Sequence, residues 1–167
     1  MSVVHKVHTR YEGGGDTPGN AYRKLIEQAV FAALKNEAVD MACVVSVLIT
    51  DDEGIRKFNL DYRGIDKATD VLSFPMQEFS QPGWENMGAP ETDIDTGEVP
   101  LGDIIISTEA VQRQAGEYGN TFEQETAYLI IHSTLHLLGY DHADECSEKI
   151  MSGKNRQIMK EMVLDEK

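Results

Sequence analysis

The sequence predicts an α+β domain, a single small mixed sheet packed with helices around a buried central helix. Three observations carry this. Residues 41–49 are rich in Val and bounded by polar residues, which is the pattern of a buried strand. Ala21, Tyr22, Leu25, Ile26, Ala29, Val30, Ala33 and Leu34 recur at helical spacing and form one apolar stripe. The segment after Thr121, through Ala127, Tyr128, Ile131, Leu135 and Leu138, is apolar nearly all round. A helix of that kind must be enclosed by the rest of the protein.

The elements follow in order along the chain. Thr17-Pro18 reads as the start of the first helix, with Pro at its first position. The strand over 41–49 comes next. Thr50-Asp51-Asp52-Glu53 supplies an N-cap and acids for a first turn, so a short helix runs through Phe58, Leu60 and Tyr62 to Gly64. Residues 69–76 form a second strand, closed by Pro75. Residues 77–100 are rich in Gly, Pro and acids and read as a loop or hairpin excursion within one domain. Residues 101–107 are a third strand. Thr108 caps a helix with Glu109 in its first turn. Thr121 caps the next, with Glu123, Gln124 and Glu125 behind it in the capping pattern. The last helix begins near Ala143 or Asp144. Met151, Ile158 and Met162, with Ile150 and Met159 nearby, give it an apolar side suited to core packing. No internal repeat or low-complexity tract interrupts 1–167, which is read as a single domain.

Composition narrows the function. Two cysteines, Cys43 and Cys146, make no disulfide framework and suggest a reducing compartment. Residues 1–11 lack the apolar core of a signal peptide, and the run over 41–49 is too short to span a bilayer. A cytoplasmic location is expected. The formal net charge of -14 speaks against broad nucleic-acid binding. Charge is uneven, however. No Lys or Arg lies between Lys67 and Arg113. Arg56, Lys57, Arg63 and Lys67 form one basic group, and Lys149, Lys154, Arg156 and Lys160 another. Acids dilute both, so any contact with nucleic acid is narrow.

The chemistry concentrates in His132-Ser133-Thr134-Leu135-His136-Leu137-Leu138-Gly139-Tyr140-Asp141-His142. His132 and His136 are one helical turn apart and share a face. Gly139 can take the left-handed conformation that ends a helix, after which the chain can return His142 to the same point. Three imidazoles with no obvious fourth ligand describe an open catalytic zinc site. The spacing matches the histidines and glycine of the metalloprotease pattern H-E-x-x-H-x-x-G-x-x-H, but Ser133 stands where that pattern places its general base. This argues for hydrolysis of something other than a peptide. A lone histidine on an apolar face is usually a core residue. Three of the chain's five histidines in one segment are not explained that way. Cys146, four residues after His142, could close the site as a fourth ligand and make it structural.

The same segment resembles the signature H-G-x-L-H-L-x-G-Y-D-H of the YbeY family of bacterial endoribonucleases. The match covers His132, Leu135, His136, Leu137, Gly139, Tyr140, Asp141 and His142, and departs at Ser133, where the family usually has Gly. Asn59-Leu60, Tyr62-Arg63-Gly64 and 69–75 resemble a second family block, with Ala68 where Pro is common. Leu101-Gly102-Asp103-Ile104 resembles a third. The resemblance implies a single-strand-specific, metal-dependent endoribonuclease that matures the 3′ end of small-subunit ribosomal RNA and serves ribosome quality control. It implies ribosomal RNA as substrate and the ribosome or its proteins as partners. It makes His132, His136 and His142 the metal ligands, and it places Arg63 near them as a catalytic residue.

Phosphodiester cleavage needs an activated nucleophile and positive charge on the transition state. Zinc supplies the first by lowering the pKa of water. Arg63 supplies the second, because a guanidinium matches phosphate geometry with paired donors. Without the resemblance, a salt bridge to Asp61 or Asp66 is the plainer reading of Arg63. Asp141 can orient a ligand imidazole or cap the last helix. Asp70 and Asp103 have no assigned role beyond orientation or turn stabilisation. The attacking group is either water or the ribose 2′-hydroxyl. Nickel, copper and iron also bind imidazole. Two rival readings stand beside the nuclease: a zinc-dependent hydrolase of peptides or amides, and a non-catalytic ribosome-associated protein with a structural zinc.

Overall fold

In the computed structural model, which describes residues 3–162, four strands form one mixed sheet. The expected domain over 1–167 extends past these limits, since 1–2 and 163–167 lie outside the described residues. The strands are β1 (Lys6–Glu12), β2 (Cys43–Thr50), β3 (Val71–Pro75) and β4 (Val99–Ser107). Their order across the sheet is β1-β2-β4-β3. The pairs β1·β2 and β2·β4 are parallel, and β3 runs antiparallel to β4 at the edge. The helices are α1 (Asn20–Asn36), α2 (Asp52–Arg63), α3 (Thr108–Tyr118), α4 (Phe122–Leu137) and α5 (Glu145–Glu161). The mixed α+β architecture agrees with the expected fold class.

β1 is the element that the sequence reading missed. Its residues alternate strictly between exposed and half-buried, with Val7, Thr9 and Tyr11 turned inward. Period-two alternation was the available signal. It is weak because an edge strand buries only one face, and Val7 and Tyr11 are its only large apolar residues. β4 begins two residues earlier than expected and β3 is shorter than 69–76.

Helix starts were legible to within two residues. α1 opens at Asn20 behind an extended Gly19, not at Thr17-Pro18. The Arg23 guanidinium reaches back to the Thr9 carbonyl and hydroxyl at 3.1 and 2.9 Å, which ties this start to β1. Asp51 caps α2 by accepting from the Gly54 amide at 2.8 Å, and Gly64 ends that helix in the left-handed region. Ser107 caps α3 in place of Thr108, whose hydroxyl donates instead to the Thr50 carbonyl at 3.3 Å. Thr121 and Gln124 close the expected capping box on α4. Asp144 caps α5.

α4 is the central helix. It packs on α1, α3, α5, β3 and β4. Leu129, Ile130, Ile131, Leu135 and Leu137 join the main core with the stripe of α1, the inward residues of β2 and β4, and Met151 and Ile158 of α5. Ile150 departs from the expectation: it points outward, about half exposed. On the other face of the sheet, Leu48, Ile55, Leu72 and Ile105 form a smaller core under α2. No helix among the described residues is long and apolar enough to cross a membrane.

The excursion over 77–98 is pinned at several points. The buried Gln77 amide donates to the carbonyls of Glu91 and Pro100 and accepts from the Glu91 amide. The Trp84 indole donates to Asp40 at 2.7 Å. The Gly83 amide donates to the Leu138 carbonyl at 3.0 Å, which fastens the excursion to the end of α4.

Candidate metal centre

The geometry of the site begins with how α4 ends. The helix closes at Leu137, and Gly139 takes φ +93. A Cβ at Gly139 would lie 2.8 Å from Cβ of Phe79, so both the backbone angle and the close packing of the excursion require glycine. The Gly139 and Tyr140 amides donate to the carbonyls of His136 and Leu135, turning the chain back across the helix end. His142 is thereby returned to His132 and His136. One ring nitrogen from each of the three lies within 4.8 Å of the others.

The donor set fits one metal ion. His136 Nδ1 lies 2.8 Å from the Tyr140 carbonyl, an acceptor only, so this nitrogen carries the proton and Nε2 keeps its lone pair. That Nε2 faces His132 Nε2 at 3.1 Å. Two nitrogens bound tetrahedrally at about 2.0 Å from one ion lie about 3.3 Å apart. Burial, then the neighbouring imidazoles, push the His132 pKa down to about 4, against an opposing pull from Asp70. Burial also lowers His136. Both rings are therefore neutral at pH 7, which is the form that binds metal. The side chain of His142 is 54% exposed, so the cluster opens to solvent on that side.

The cluster lines a cleft of about 720 Å³. Arg63, at the last turn of α2, lines it too and is the one Lys or Arg among the described residues to do so. Neither expected salt bridge forms among the described residues. Asp66 pairs with Arg56 at 2.7 Å, and Arg63 has no ion-pair partner among the described residues. Phe74, Phe79, Tyr128 and Tyr140 supply aromatic walls. Asp70 also lines the cleft, with its oxygens accepting from the Val71 amide and the Gln114 side chain.

Other expected residues fall differently. Cys146 is exposed in the first turn of α5 and stands outside the histidine cluster. Asp141 does not cap α5. Its carboxylate accepts from the His142 amide at 2.7 Å and lies 3.8 Å from His142 Nδ1, beyond hydrogen-bond length. Asp103 sits on β4 outside the cleft, with its pKa raised by burial. Sequence reasoning missed Gln77, which anchors the excursion that carries Phe79, and the carbonyl of Tyr140. Gln77 has no distinguishing local signal. The Tyr140 carbonyl was implicit in the His136-to-Tyr140 spacing of four.

A mixed sheet behind a central helix, with three imidazoles converging on an open cleft, is the architecture of a metal-dependent hydrolase. A model of the family described as Endoribonuclease YbeY matches residues 11–163, and the chain belongs to that family. An endoribonuclease YbeY of Thermoanaerobacter sp. is 49% identical over 137 residues, covering 81% of this chain and 84% of the relative. One of Clostridium kluyveri is 42% identical over 146 residues, covering 84% and 89%. Among solved structures, the solution structure of TM1509 from Thermotoga maritima aligns with a TM-score of 0.58 at 27% identity. That alignment covers 93% of this chain and 87% of the other.

Proposed function

We propose that this protein is a metal-dependent endoribonuclease that cuts single-stranded RNA, in which His132, His136 and His142 hold one zinc ion and Arg63 is a catalytic residue. The observation that carries this reading is the meeting of three imidazoles with one guanidinium, unpaired among the described residues, in a single aromatic-walled cleft. Family membership gives the reaction class. When bound, the metal supplies a Lewis acid for a phosphoryl oxygen and lowers the pKa of the attacking group.

The chain's own residues do the rest. The Arg63 guanidinium donates paired hydrogen bonds to non-bridging phosphate oxygens and offsets the charge that grows on them. Phe74, Phe79 and Tyr128 offer faces on which unstacked bases can rest, which favours single strands over duplex. Tyr140 holds the proton on Nδ1 of His136. The small-subunit ribosomal RNA is the substrate, in the maturation of its 3′ end and in ribosome quality control. The ribosome or one of its proteins presents it, in the cytoplasm. The whole chain acts as one functional unit.

The peptide-hydrolase alternative has no carboxylate next to His132, where Ser133 is fully buried. The structural-zinc alternative would need a fourth ligand, and Cys146 lies outside the cluster.

The test is cleavage of a labelled single-stranded RNA by wild type, chelator-treated wild type, His136→Ala and Arg63→Ala. Cleavage by untreated wild type alone, restored to the chelated sample by zinc, supports the metal and Arg63 roles together. Equal cleavage by all four marks a contaminant and sinks the assignment.

A further inference from the structure

A buried polar chain runs from the far side of the core to the histidine cluster. Glu37 caps the C-terminal end of α1 and is buried. Its Oε1 accepts from the Tyr140 hydroxyl at 2.5 Å, and its Oε2 accepts from Lys154 Nζ of α5 at 2.9 Å. The Lys154 ammonium also lies over the Tyr140 ring, 5.2 Å from its centroid. Tyr140 is itself buried, and its carbonyl accepts from Nδ1 of His136 at 2.8 Å. Two residues distant in sequence, Glu37 at the end of α1 and Lys154 on α5, thus converge on one tyrosine whose main chain fixes a ring of the cluster.

A purely structural role would not call for this chemistry. A buried carboxylate is costly unless its charge is compensated, and an apolar pair of similar volume commonly stabilises as well or better. What the charged arrangement adds is direction. Glu37 anchors Tyr140 at its hydroxyl while the main chain holds it at the Leu135 carbonyl, so the Tyr140 carbonyl has one orientation. That carbonyl sets which nitrogen of His136 carries the proton, and therefore which is free for a ligand bond.

We infer that Glu37, held by Lys154, is a positioning residue for His136, acting through Tyr140 to keep its Nε2 aimed at the metal position. This rests on the metal-site reading above and adds two residues outside the cleft to it. Partners that orient a metal ligand typically contribute about 10–100-fold to metal affinity.

The test is titration of metal-stripped protein with cobalt(II), a coloured probe of imidazole sites, read as Kd and as the visible band of the bound ion. Tyr140→Phe and Glu37→Leu are each expected to weaken cobalt binding by on the order of tenfold and to alter the band. The double variant is expected to lose no more than either single one, because both act through one hydrogen bond. Glu37→Gln keeps an acceptor for the tyrosine hydroxyl and is expected to recover most of the affinity. Val47→Ala, a core truncation on β2 outside the cleft, serves as the stability control. It should lower Tm and leave cobalt Kd within about twofold. Tyr140→Phe is nearly isosteric, so the series does not depend on the leucine variant folding. Cobalt Kd in Tyr140→Phe indistinguishable from that of the Val47→Ala control would overturn the coupling alone. A wild type that takes up no cobalt would overturn the metal site and the coupling together.

Discussion

At the scale of single residues, Arg63 and His132 make separable predictions. Arg63 lines the cleft without an ion-pair partner among the described residues, and nothing in the cluster depends on it. Arg63→Ala should lower kcat on single-stranded RNA by about 100-fold, in the range of one lost transition-state donor. Metal content should stay at the wild-type level. Arg63→Lys should recover only part of the rate, since an ammonium lacks the paired donors. Loss of metal in Arg63→Ala would make the residue structural. His132 predicts a pH effect in the metal-free protein. Its folded pKa of about 4 lies below the ordinary histidine value of 6.5, so between those values the unfolded chain binds more protons. Stability is therefore full above pH 6.5 and is lost as pH falls toward 4. His5 and His136 are lowered too and act in the same sense. Glu125 and Asp103 are raised by burial and act oppositely, so the comparison must be against a variant. Urea unfolding at pH 7 and pH 5 should show a smaller loss in His132→Gln than in wild type. Equal losses would contradict the buried neutral imidazole.

At the scale of elements, local sequence shows that Gly64 ends a helix but not the close approach that Gly102 must allow. Gly64 and Gly102 both have positive φ, +71 and +144. A Cβ at Gly64 meets nothing within 4 Å, whereas one at Gly102 would lie 2.3 Å from the Phe74 carbonyl oxygen. Gly102 sits just after the register shift where Val44 pairs Pro100 and Val45 pairs Gly102, and it pairs Pro75 on the other side. Gly64→Ala should cost about 1 kcal/mol, from backbone strain alone. Gly102→Ala should cost on the order of 3 kcal/mol, because β3 must also move. Chemical denaturation of both variants checks this, and equal costs would mean that β3 yields freely. Helices were the legible elements because their signals are local. Asp51, Thr121 and Asp144 cap as their residue types suggest, and α4 reads as buried from composition. Ser107 displaced Thr108 as cap only because the Thr108 hydroxyl found the Thr50 carbonyl across the sheet. β1 stayed hidden because its partner lies far along the chain.

For the molecule as a whole, charge governs how it meets RNA. The net charge is -14, and three of the eight residues in the basic groups noted in the sequence are paired with acids: Arg56 with Asp66, Lys149 with Glu145, Lys154 with Glu37. One guanidinium faces the cleft. Binding to a free single strand should therefore be weak, with a shallow salt dependence. The slope of log K against log salt should be on the order of -1 for one or two phosphate contacts. Fluorescence anisotropy with a labelled oligonucleotide at several salt concentrations measures it. A slope of several units would mean that cations beyond Arg63 contact the strand. The same poverty of cations leads to the expectation that cleavage is faster on small-subunit ribosomal particles than on free oligonucleotides. Equal rates on both would remove the need for a presenting partner.

The sequence by itself determined the three histidines, the glycine that lets them converge, the helix that bears two of them and the α+β class. Each of these depends on residue type at short spacing, and helical periodicity converts short spacing directly into geometry. Only the tertiary structure decided that Cys146 stands outside the cluster and that Arg63 lines the cleft without an ion-pair partner among the described residues. It also placed the excursion over 77–98 against Gly139 and brought Glu37 and Lys154 to Tyr140. These are contacts between segments far apart in the chain. Their partners are chosen by how the helices and the sheet share one core, and no local pattern encodes that choice.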